Sequence, residues 1–135
     1  MLIAIILAGG YATRLGPLSK DMPKSLLNVA GKSVIAYIFD RLVELPEVRH
    51  TVISTNQRFE HQFREWLKSN PDIPAEIVTD RSYREEEKPG AVGSLAQTAS
   101  HITEDCLIIA GDNIFTSSLK PMIQTFEKRR SPVVA

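Results

Sequence analysis

The start of the chain constrains the fold most. Leu2–Leu7 reads Leu-Ile-Ala-Ile-Ile-Leu, apolar without interruption, and Gly9-Gly10 ends it. A half-buried strand would alternate apolar and polar residues. An unbroken run bounded by glycine reads as a strand covered on both faces, as in parallel sheets. The run is too short for a membrane helix, which needs roughly 20 apolar residues. Its basic residues follow it rather than precede it, so it does not read as a secretory signal.

The rest of the chain repeats the theme. A polar stretch broken by Gly16, Pro17, Pro23 and Gly31 comes first. Val34, Ile35, Ile38, Leu42 and Leu45 then recur at helical spacing, which predicts an amphipathic helix over 33–45, stopped by Pro46. Thr51–Thr55 reads as a second strand. Asn56 reads as the N-cap of a helix carrying Phe59, Phe63, Trp66 and Leu67. A third strand is predicted at Glu76–Thr79 and a charged loop at Asp80–Pro89. A short helix follows, with Val92, Leu95, Ala96 and Ala99 on its apolar face. Cys106–Ala110 is a fourth strand, again apolar and again closed by a glycine. Leu119, Met122, Ile123 and Phe126 mark a last helix, and Pro132–Ala135 reads as the start of another strand. Alternating strands and helices predict an α/β domain with a mostly parallel sheet.

Composition narrows the function. With 135 residues, 43% apolar and 24% charged, the chain is an ordinary globular sequence, expected to form one domain with a proper core. Sixteen basic residues balance sixteen acidic ones, which argues against a nucleic-acid polymer as partner. The balance is uneven, however. Residues 1–35 hold Arg14, Lys20, Lys24 and Lys32 against Asp21 alone, which suits a small anionic ligand. The single Cys106 excludes an intrachain disulfide, and His50, His61 and His101 lack metal-ligand spacing. The expected location is the cytoplasm.

In open α/β sheets ligands bind beyond the carboxyl ends of the strands. Two such ends are Ala8-Gly9-Gly10 and Gly111-Asp112-Asn113. Glycines, then Arg14, then Lys24 would let backbone N–H groups and two cations meet a polyphosphate. A solvated loop with two ordinary cations is the competing reading, and Asp112 could equally cap a turn. Two phosphate motifs fail outright. Gly9-Gly10 does not supply G-x-G-x-x-G, and Gly31-Lys32-Ser33 lacks the first glycine of a P-loop, whose place is held by Leu26.

Leu-Ala-Gly-Gly-Tyr-Ala-Thr-Arg-Leu-Gly-Pro-Leu-Ser (7–19) and Pro-Lys-Ser-Leu-Leu-Asn-Val-Ala-Gly-Lys-Ser (23–33) resemble the signature of the sugar-1-phosphate nucleotidyltransferases. Ser19, Asn28 and Ser33 depart from that pattern without removing a charge. Gly90-Ala91-Val92-Gly93-Ser94-Leu95 resembles the family's base-binding loop, and Gly111-Asp112-Asn113-Ile114-Phe115 its G-D-N-I-F segment. The resemblance implies a Rossmann-like three-layer α/β/α fold with a mostly parallel sheet. Transfer of a nucleotide from a nucleoside triphosphate to a sugar 1-phosphate, with Mg²⁺, is the implied activity. Leu7, Ala8, Gly9, Gly10, Thr13, Glu85 and Gly90 would hold the nucleotide. Arg14 and Lys24 would act on the phosphates, and Asp112 would bind the metal. Family members are longer, so residues 1–135 are expected to be the N-terminal, nucleotide-binding part of such a domain, with exposed surface that favours self-association. Two alternatives stay open: a non-catalytic nucleotide-binding regulatory module, and a cytidylyltransferase acting on phosphocholine or another phosphorylated alcohol.

Overall fold

The computed structural model describes residues 1–10, 21–81, 90–100 and 102–135. β1 (Leu2–Leu7) lies at the centre of a four-stranded sheet. A short 3-10 turn (Lys24–Leu26) and a hairpin of two-residue strands, β2 (Asn28–Val29) and β3 (Lys32–Ser33), lead into α1 (Val34–Leu42). The hairpin turns at Ala30 and Gly31, both at positive φ, the backbone sign of a tight primed turn. β4 (Val48–Asn56), α2 (Glu60–Lys68), β5 (Ala75–Asp80), α3 (Gly90–Ala99), β6 (Asp105–Ala110) and α4 (Lys120–Arg129) follow.

The sheet order is β5-β4-β1-β6, and every pairing within it is parallel. β1 thus has a neighbour on each side as well as cover above and below, which is why its sequence has no polar position. Side chains alternate along each strand. Leu2, Ala4, Ile6, Ile53, Leu107 and Ile109 point to one face, where they meet Ile35, Ile38, Phe39 and Leu42 of α1, Phe63 of α2 and Ile123 of α4. Ile3, Ile5 and Val52 point to the other, where Leu95 of α3 packs with Val78 and Cys106. Helices on both faces make the three layers that the sequence implies.

Local chemistry sets the ends of the elements. Asn56 Oδ1 accepts the Phe59 N–H at 3.1 Å, so Asn56 caps the turn that leads into α2. Phe59 itself is buried beneath that turn. Trp66 donates Nε1–H to Ser33 Oγ at 3.1 Å and stacks on Phe39, joining α2 to α1. α4 ends at Arg130, left-handed at φ 52°, whose N–H returns to the Phe126 carbonyl and whose guanidinium reaches Asp105.

Two expectations need correction. Val92 does not pack; it is 83% exposed, because α3 meets the sheet through Ser94, Leu95 and Thr98. Pro132–Ala135 forms no strand among the described residues; it makes no ladder with the sheet. Among the described residues no helix is long and apolar enough to cross a membrane.

Candidate functional site

The carboxyl ends of all four parallel strands open on one cavity of about 240 Å³. Strand alternation explains its lining. Leu7, Ser54, Asp80 and Ala110 occupy the last or nearly last positions of β1, β4, β5 and β6, all on the α3 side of the sheet. Gly9 and Gly10 extend β1 over the rim, Gly90 and Ser94 come from α3, and Lys24, Ser25 and Asp112 complete the wall.

Beyond the end of β1 the chain is fastened to β4 bond by bond. The Ala8 N–H donates to the Ser54 carbonyl at 2.7 Å, and Thr55 Oγ1 donates to the Ala8 carbonyl at 3.4 Å. Asn56 Nδ2 donates to the Gly9 carbonyl at 3.0 Å. Ala8, predicted as a nucleotide contact, is therefore buried and its N–H is already engaged; its place is beneath the loop. Gly9 and Gly10 do line the cavity. A Cβ on Gly10 would meet no atom of the described residues within 4 Å.

Lys24 is set by the turn that carries it. Pro23 and Ser25 are buried on either side, and the Leu26 and Leu27 N–H groups close the turn onto Pro23 and Lys24. Gln62 and Arg58 hold Asp21, just upstream. Asp112 is set by Gly111, whose N–H donates to the Leu7 carbonyl at 2.8 Å. A Cβ on Gly111 would stand 2.7 Å from that carbonyl and 2.8 Å from Ser25 Oγ, closer than any side chain tolerates. Glycine here lets the end of β6 press against β1 and the Lys24 turn. The outcome is a Lys24 Nζ to Asp112 Oδ2 distance of 3.6 Å, with side chains 34% and 44% exposed. An ion pair this open to water stabilises the fold by less than about 1 kcal/mol. Both groups can accordingly turn to a ligand at little cost.

The opposite wall belongs to Asp80. It is 6% exposed at the end of β5, and Ser94 Oγ donates to its Oδ2 at 3.2 Å. Thr98, one turn further along α3, donates to Ser54 Oγ at 2.9 Å. Gly90 opens α3 at φ +75°, a left-handed conformation that glycine adopts without strain. That helix start places Gly90 and, one turn on, Ser94 at the cavity wall.

The structure thus brings together Leu7, Gly9, Gly10, Lys24, Gly90 and Asp112 of the residues predicted from sequence. Thr13, Arg14 and Glu85 lie outside the described residues. Sequence reasoning missed Asp80 and Ser54, having placed Asp80 in a loop, and it read Asn56 only as a cap; Ser25 and Ser94 lay inside the quoted motifs but were not singled out. The available signal was positional: a polar residue at the carboxyl end of a parallel strand faces a ligand crevice. Among the described residues no group of three metal-ligating side chains forms. The Cys106 thiol is pushed up from its ordinary pKa chiefly by burial, then by Asp105 and Glu104, which favours the protonated form.

Comparison with known proteins agrees with this geometry. The model of the nucleotidyl transferase family matches residues 3–135. The UTP–glucose-1-phosphate uridylyltransferase of Haloferax volcanii is 30% identical over 128 residues, covering 95% of this chain and 50% of that protein. Among solved structures, a Bacillus anthracis protein assigned as a glucose-1-phosphate thymidylyltransferase superposes with a TM-score of 0.83 at 23% identity, over 96% of this chain and 52% of that one. The CTP:phosphocholine cytidylyltransferase of Streptococcus pneumoniae superposes at 0.67 with 24% identity, over 88% and 49%. At those identities the structural matches speak for the fold. The chain spans about half the length of these relatives. A family match over nearly every residue, on a fold that gathers six of the expected site residues around one cavity, shows that this chain belongs to the nucleotidyl transferase family.

Proposed function

We propose that residues 1–135 form the nucleotide-binding part of a sugar-1-phosphate nucleotidyltransferase. The observation that carries this reading is the Lys24–Asp112 pair at 3.6 Å, set on the wall of the cavity that Gly9, Gly10 and Gly90 also line. In the reaction, a sugar-1-phosphate oxygen attacks the α-phosphorus of a nucleoside triphosphate. The new oxygen–phosphorus bond forms as the bond to the β-phosphate oxygen breaks, and pyrophosphate leaves. The nucleophile is already an anion, so no general base is needed, and catalysis rests on alignment and charge neutralisation.

Lys24 places a point charge against the phosphates, and Arg14 adds a planar fork for the departing pyrophosphate. Asp112, a hard oxygen donor, would hold Mg²⁺. When bound, that ion would neutralise charge that develops on the phosphates.

Asp80 and Ser94 give the nucleobase a side-chain partner. A carboxylate accepts hydrogen bonds. The ring N–H of uracil, thymine or guanine complements it, while the ring lone pair of cytosine or adenine at the same place is repelled. This favours a keto base over CTP as donor. The implied partners are a nucleoside triphosphate and a sugar 1-phosphate.

The test uses a chain extended to the length of its relatives and follows pyrophosphate release from triphosphate and sugar 1-phosphate. Arg14→Ala is expected to lower turnover about 100-fold or more, the loss typical of one oriented donor. Turnover within a few-fold of the parent would refute the assignment.

A further inference from the structure

We infer that Asn56 is a positioning residue: its side-chain amide sets the direction of the Gly10 N–H at the rim of the cavity. The inference rests on the nucleotide-binding reading above and adds a residue that neither the motifs nor the sequence pattern assign to it.

The side chain is wholly buried, and both ends of its amide are committed. Oδ1 accepts the Phe59 N–H at 3.1 Å, and a backbone N–H can only donate, so the oxygen must face Phe59. Nδ2 consequently faces the Gly9 carbonyl, 3.0 Å away, and donates to it. The orientation of the amide is therefore fixed by chemistry.

The Gly9 carbonyl and the Gly10 N–H belong to one peptide unit. That unit is planar and trans, and its C=O and N–H point in opposite directions. Holding the Gly9 oxygen toward β4 therefore holds the Gly10 N–H away from β4, on the stretch that lines the cavity. That N–H makes no bond to another described backbone group. Ala8 cannot substitute as donor, because its own N–H is bonded to the Ser54 carbonyl. Two adjoining glycines have no side chains to restrain the Gly9–Gly10 peptide. Asn56, on the neighbouring strand, provides the restraint, and through Phe59 it ties the rim to the start of α2.

Asn56→Asp separates this role from the cap. The new carboxylate still accepts the Phe59 N–H, but it has no proton for the Gly9 oxygen and repels it. Titrate this 135-residue chain and the variant calorimetrically with UTP, dTTP and GTP, with Mg²⁺, from pH 8 to pH 5, and record the melting temperature of each at each pH. At pH 8 we expect affinity to fall about tenfold or more, with the variant still fully folded at the titration temperature. Burial raises the pKa of the new carboxyl, and once protonated it donates to Gly9 as the amide did. The variant-to-parent affinity ratio should therefore climb toward one as the pH falls. A folded variant that binds like the parent at pH 8, or a deficit that does not change with pH, overturns the inference. An unaltered chain that binds none of the three nucleotides overturns the underlying functional reading instead.

Should Asn56→Asp fail to fold, the unaltered chain labelled with ¹⁵N supplies the test. The Asn56 side-chain amide should exchange slowly, and both its signals and the Gly10 N–H signal should move on nucleotide addition. An Asn56 amide indifferent to bound nucleotide overturns the inference.

Discussion

On one face of the sheet, fifteen buried apolar residues join β1, β4 and β6 to α1, α2 and α4; on the other, among the described residues, only Ile3, Ile5 and Val52 are fully buried against α3. The two faces also differ in kind. The first is held by aliphatic and aromatic packing, including Phe39, Phe59 and Phe63. The second adds hydroxyls and a carboxylate to a small apolar cluster: Thr98 on Ser54, and Ser94 on Asp80. The same strand alternation that sends Ala4 and Ile6 to the thick face sends Leu7, Ser54 and Asp80 to the thin one, where the cavity lies. The larger apolar core and the cavity thus lie on opposite sides of the same strands. A helix docked through few apolar contacts opens at lower free energy than one locked into a core, which suits an element at a binding site.

The largest expected effect is on the thick face. Phe63→Ala removes a fully buried ring and should cost about 3–5 kcal/mol in chemical denaturation. Leu95→Ala on α3, only partly buried, should cost roughly 1–2 kcal/mol by the same measurement. Equal losses would erase the contrast between the faces.

At the cavity the order of effects should invert. Lys24→Ala breaks an exposed ion pair, so denaturation should shift by less than about 1 kcal/mol. Nucleotide affinity, read by titration, should fall at least about tenfold, since a charge-assisted phosphate contact is lost. A variant that loses stability and keeps affinity would make Lys24 a structural residue.

Asp80→Asn should act more selectively. An amide both accepts and donates, so the repulsion of cytosine and adenine ring nitrogens is relieved. The preference for UTP, dTTP or GTP over CTP should narrow by about tenfold, with stability changing less than for Phe63→Ala. An unchanged order of nucleotides would place Asp80 away from the base.

The legibility of these two faces in the sequence differs for a physical reason. The thick face could be read directly: Ile35, Ile38, Leu42 and Leu45 at helical spacing, and Phe63 with Trp66 and Leu67, all pack where the period places them. The unbroken apolar run of β1 was legible as a strand covered on both faces; its central place, between β4 and β6, appears only in the structure. The thin face was misread. Hydrophobic spacing selects Val92, Leu95, Ala96 and Ala99 for the buried side of α3, yet the helix docks through Ser94, Leu95 and Thr98. Hydroxyls that bond across an interface look like solvent-facing residues in a hydropathy pattern.

The site divides along the same line. Glycines, Lys24 and Asp112 were legible because they lie in contiguous motifs. Ser54, Asn56 and Asp80 were not, because their role comes from register: pairing sets Ser54 of β4 beside Leu7 of β1, and Asn56 of β4 beside Asp80 of β5. Gly111 was legible as part of a motif, but the reason for glycine appears only in its 2.7 Å approach to the Leu7 carbonyl.

The central claim is that the cavity at the strand ends holds a nucleoside triphosphate. Its most direct test is calorimetric titration of this 135-residue chain with UTP, dTTP, GTP, CTP and ATP, with and without Mg²⁺. Saturable binding of one or more keto-base nucleotides, strengthened by Mg²⁺ and weakened by Lys24→Ala, is the predicted result. A folded chain that binds none of the five, or binds them equally well without Lys24, would contradict the account.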